Sequence, residues 1–168
     1  ASGHPPPGSS LPNPLGLVKS IDLGASWVPL ALGGEADFHF LAAGYRSNAI
    51  YVRSTEPNSA MTVPGLHLSV DEGKTWRRRI ARGLEGEIFA LAAHPQDAGT
   101  LAVATDRGLY LSRDSGESFK RMDGRQAVTA VSFAPDGRNL RFARAIRREL
   151  VYAALDSRSR TVTLLPPI

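Results

Sequence analysis

From residue 16 onward the chain alternates short apolar runs with clusters of Gly, Pro, Asp, Asn and Ser. The runs come in pairs: FHFLAAG with AIYVRS, IFALAAHP with TLAVATD, and VTAVSFAP with LRFARA. Each pair is separated by turn-forming residues, the usual chemistry of a hairpin. A third run follows each pair, GLHLS, GLYLS or LVYAA, and GLVKS stands earlier without a preceding pair. Nothing between them has helical period and length, so the pattern predicts strand, turn, strand, loop, strand, turn, strand, repeated in an all-β, antiparallel chain.

The third run always leads into the same eight residues. SIDLGASW begins at 20, SVDEGKTW at 69 and SRDSGESF at 112, each reading Ser-x-Asp-x-Gly-x-(Ser/Thr)-aromatic; an eroded copy, ALDSRSRT, begins at 154 with Asp156 in the aspartate position. Starts 49, 43 and 42 residues apart fit the length of a four-stranded propeller blade. The predicted organisation is a Pro/Gly/Ser-rich leading segment over 1–14 and one repeat domain over 15–168. That domain divides into a half blade at 15–32 and full blades at 38–82, 88–122 and 128–166, about three and a half blades of an incomplete β-propeller.

The repeated turn has a local physical purpose. Asp22, Asp71 and Asp114 can accept hydrogen bonds from their own turn, Ser20, Ser69 and Ser112 can tie its two sides, and Gly24, Gly73 and Gly116 can supply positive φ. Trp27, Trp76 and Phe119 then open the outer strand with a ring to bury between sheets. A calcium ion in each turn would require several converging oxygens, and only Asp71 with Glu72 brings two acids together, so no metal and no cofactor is expected.

Composition narrows the function classes. The 168 residues contain no cysteine, which removes disulfides, thiolate metal sites and thiol chemistry. No apolar run approaches the roughly 20 residues of a membrane-spanning helix. The net charge of +4 conceals an asymmetry, with 3 basic and 4 acidic residues up to position 70 and 17 against 12 after it. The arginine clusters 77–79 with 82, and 138–148, have only Trp76 and Phe142 beside them, too few aromatics for base stacking, so nucleic acid is not the expected partner.

These repeats resemble the BNR or Asp-box repeats of sialidase-like β-propellers. SGHP at 2–5, PLGLVKSIDLGASW at 14–27 and GEADFHFL at 34–41 are similar to exported bacterial BNR proteins described as glycosyl hydrolases or exo-α-sialidases. The resemblance implies an exported protein, and in that group the Pro-rich stretch joins strands within one propeller. A sialidase-type site implies a tyrosine nucleophile, an acid/base carboxylate and three arginines on the substrate carboxylate, and the first-blade arginine motif has no counterpart here. The remaining candidates for catalysis are Glu85 and Glu87, which precede an inner strand near the expected channel, and Asp37 with His39, read as sharing one strand face. Tyr110 and Tyr152 occupy one repeat position and are read as core. The expected function is a non-catalytic, exported module that holds a protein partner or a second copy against its incomplete ring. The alternative is a glycan-processing or glycan-binding propeller with catalytic parts in a further N-terminal region.

Overall fold

The computed structural model describes residues 1–124, 126–157 and 159–166; Arg158 of the fourth repeat copy, and Arg125, Pro167 and Ile168 of the repeat domain, lie outside them. The first sheet pairs β1 (Leu17–Lys19) with β2 (Val28–Ala31). The second contains β3 (Leu41–Ala43), β4 (Ile50–Ser54), β5 (Gly65–Ser69) and β6 (Arg77–Arg78). The third contains β7 (Ile88–Ala93), β8 (Leu101–Thr105), β9 (Gly108–Ser112) and β10 (Lys120–Asp123), and the fourth β11 (Ala130–Phe133), β12 (Asn139–Arg144), β13 (Glu149–Ala154) and β14 (Arg160–Leu164). Each four-stranded sheet is an antiparallel meander in chain order, and a single 3-10 turn, Ala145–Arg147, interrupts the β12–β13 connection.

The sheets stack face to face, and strand alternation assigns each residue to one neighbour or the other. Tyr51, Leu66 and Leu68 of the second sheet meet Leu101, Val103, Tyr110 and Phe119 of the third. The opposite face of the third, Ala102, Ala104 and Leu109, meets Leu140, Phe142, Val151 and Ala153 of the fourth. Covered on both faces, β8 is buried along its whole length, which explains an apolar run without alternation. Leu17, Phe38, Val52 and Met61 form a third core between the first and second sheets.

The inner strands β3, β7 and β11 lie side by side. Their turns are cross-tied: Tyr45 donates its hydroxyl to the Pro135 carbonyl at 3.0 Å, the Arg46 N–H to the Pro95 carbonyl at 2.9 Å, and His94 Nε2 stands 3.0 Å from the Gly137 carbonyl.

The leading segment is an ordered loop tied to the first sheet, since Ala1 and Val18 exchange backbone hydrogen bonds at 2.8 and 2.9 Å and the Leu15 N–H donates to the Gly3 carbonyl. One expectation changes. The fourth repeat copy is displaced by one residue. Leu101 pairs with Ser112 in the third sheet, and the corresponding Leu140 pairs with Ala153 in the fourth, so the turn runs over 153–160. Leu155, not Asp156, takes the aspartate place, and Arg160 takes that of Trp76 and Phe119. A one-residue shift reverses every side chain. Tyr152 therefore turns away from the third sheet and is 40% exposed, whereas Tyr110 is 1% exposed.

Candidate functional site

The three intact turns share one hydrogen-bond set. Ser20, Ser69 and Ser112 donate to Oδ1 of Asp22, Asp71 and Asp114 at 2.7–2.8 Å, and each serine oxygen accepts from the glycine N–H at 2.8–2.9 Å. Each aspartate also accepts the backbone N–H and the hydroxyl of Ser26, Thr75 or Ser118. These bonds, led by that hydroxyl, hold all three carboxyls down to about 2. With its lone pairs committed inside the turn, each aspartate is poorly placed to act on a substrate.

The turn also docks on the preceding sheet. A Cβ at Gly73 would stand 2.6 Å from Leu17 Cδ2, and one at Gly116 3.0 Å from Leu66 Cδ2, both at positive φ. The preceding residues Leu23, Glu72 and Ser115 adopt positive φ as well. Phe119 is buried in the core between the second and third sheets, and Trp76 packs on Phe38 with ring centroids 5.8 Å apart. Trp27, in the same repeat position, is 52% exposed.

Asp37 and His39 lie in the extended connection before β3 rather than on a strand. Their side chains do meet, His39 Nδ1 standing 3.4 Å from Asp37 Oδ2. His4 joins them from 33 residues away: its Nε2 is 3.0 Å from the same oxygen, and its Nδ1 is 2.5 Å from Asn13 Oδ1. The bond to Asn13, together with Asp37, raises the His4 pKa. Sequence spacing gave no sign of this triad, because it forms only when the leading segment folds against the β2–β3 connection. Beside it a polar cleft of about 180 Å³ is lined by Glu35, Asp37, His39, Thr55, Glu56 and Asn58. Among the described residues no group of His, Asp and Glu side chains is arranged to hold a metal ion.

Glu85 and Glu87 separate. Glu85 is drawn to the outer strands of the third sheet, where Arg121 Nη2 binds it at 2.7 Å beside the Tyr110 hydroxyl, so it does not face the inner strands. Glu87 engages Asp106 through its backbone N–H. Among the described residues no hydrogen bond or ion pair connects either glutamate with Asp37 or His39.

The first sheet presents a different kind of surface. Trp27, Val18 and Pro29 join Pro5, Leu11 and Pro12 in an apolar cup of about 270 Å³ between the first sheet and the leading segment. Nearby Leu23 and Val28 are also exposed.

No family model matches the chain. Over 53 residues, 32% of this chain and 6% of the other protein, it is 45% identical to a xyloglucanase of Hypocrea jecorina (strain QM6a). The GH74 xyloglucanase from Xanthomonas campestris superposes with a TM-score of 0.60 at 18% identity, over 76% of this chain and 18% of that one. YCF48 bound to D1 peptide superposes with a TM-score of 0.54 at 15% identity, over 86% of this chain and 47% of that one. The fold is thus a β-propeller, represented by about three and a half blades, and the sequence resemblance to sialidase-like proteins is supported only at that level. The chain spans less than half of each of these relatives.

Proposed function

We propose that this chain is an exported, non-catalytic propeller segment that holds a protein partner, a second copy included, through an apolar sheet face. The exposed Trp27 cup carries this reading: its counterparts Trp76 and Phe119 pack against a preceding sheet, and Trp27 has the same chemistry without such cover among the described residues. Apolar surface of this kind, gathered around one aromatic ring, is typical of protein contact sites. Sedimentation of the purified chain over a concentration series tests it. Association that is lost in Trp27→Glu supports the reading, and a monomer at every concentration rules out the second copy.

A glycan-processing reading draws support from the xyloglucanase similarity and the polar cleft at Asp37. It expects reducing ends to be released from xyloglucan and this release to be abolished in Asp37→Asn. A flat assay with the complete gene product removes it.

A further inference from the structure

The displaced fourth copy leaves a groove on the third sheet. Phe119 fills the outer wedge between the second and third sheets, in the same core as Leu68. One sheet further on, Leu111 takes the place of Leu68 and Arg160 the place of Phe119. Arg160 does not cover Leu111; its guanidinium turns to Asp123 and to the Met122 carbonyl. The result is an open groove of about 390 Å³, within the size range of small-ligand sites.

Leu111 and Met122 form the half-buried apolar lining. Arg113 and Lys120 supply the charged walls; the Arg121 guanidinium lies on the opposite face of the sheet with Tyr110 and Glu85. The one carboxylate on the lining, Asp114, is committed to its own turn. Arg113 is held by the solvent-exposed Asp156 and the Leu155 carbonyl, and Lys120 has no carboxylate partner among the described residues. An apolar lining edged by cations, one of them uncommitted, matches a ligand with an apolar body and an anionic head.

We propose that this groove binds a small amphipathic anion, an aromatic or branched aliphatic group bearing a carboxylate or sulfonate, with Lys120 and Arg113 on the anion and Leu111 and Met122 under the apolar part. The inference is independent of the protein-binding reading, since the groove lies on the third sheet and the Trp27 cup on the first.

Anilinonaphthalene sulfonate is a suitable fluorescent probe, with neutral N-phenylnaphthylamine as its uncharged comparison. Saturable sulfonate binding that salt weakens is expected, with affinity lowered at least about tenfold in Lys120→Glu, the scale of one charged contact. Arg160→Phe, which returns an aromatic ring to the wedge, should block the probe, and Trp27→Ala should leave it bound. Unchanged binding in Lys120→Glu, loss in Trp27→Ala, or equal affinity for the neutral compound would overturn the assignment. Lys120 is exposed, so its variant tests the groove even if Arg160→Phe fails to fold.

Discussion

A residue's position in the repeat fixes its chemistry only when the neighbouring sheet is present. Phe119 and Trp27 end the same eight-residue turn, yet one is buried and the other half exposed. Phe119→Ala should therefore cost about 3–5 kcal/mol, as for other buried aromatics, and Trp27→Ala far less, a contrast that denaturant titration reads directly. The aspartates carry a pH signature. Their folded pKa of about 2 lies below the unfolded value of about 4, so their stabilisation is complete above pH ~4 and declines as pH falls toward 2. Asp71→Asn should lower the melting temperature at neutral pH and flatten its fall between pH 4 and 2 in calorimetric scans.

Among the elements, the strands and three of the four turns were legible in the sequence, because they depend on contacts within eight residues and on simple alternation. The fourth turn was not. Asp156 aligns in the sequence, but β12 and β13 pair Leu140 with Ala153, which starts the turn one residue earlier than the sequence alignment places it. The His4–Asp37–His39 contact was hidden for a similar reason, since it joins two loops whose approach no local pattern encodes. In the fourth sheet, Arg144 and Arg160 converge on Asp123, with Glu149 on the far side of Arg144. Arg144 and Asp123 are largely buried, and Asp123→Ala would leave Arg144 with Glu149 alone, so a loss of about 1.5–3 kcal/mol from the missing charged hydrogen bonds is expected, measurable by urea unfolding. At Gly116, alanine would meet both a positive φ and Leu66, and a lowered melting temperature is the expected outcome.

Across the whole molecule, stability follows the number of neighbours each sheet has. Hydrogen exchange should be slowest in β8 and β9, enclosed between sheets, and fastest in β2 and β14; uniform protection would contradict a stack held by nearest-neighbour contacts. The far face of the fourth sheet is also more polar, with Arg141 in the register place of buried Tyr51 and Ala102, its guanidinium over the Tyr152 ring. The inner ties have a geometric consequence. Tyr45, Arg46 and His94 reach backbone carbonyls at Pro135, Pro95 and Gly137, so the angle between successive sheets is set by main-chain positions near the axis. Substitutions farther out can loosen or refill the wedges, but the radius of the arc is measured out by three inner turns.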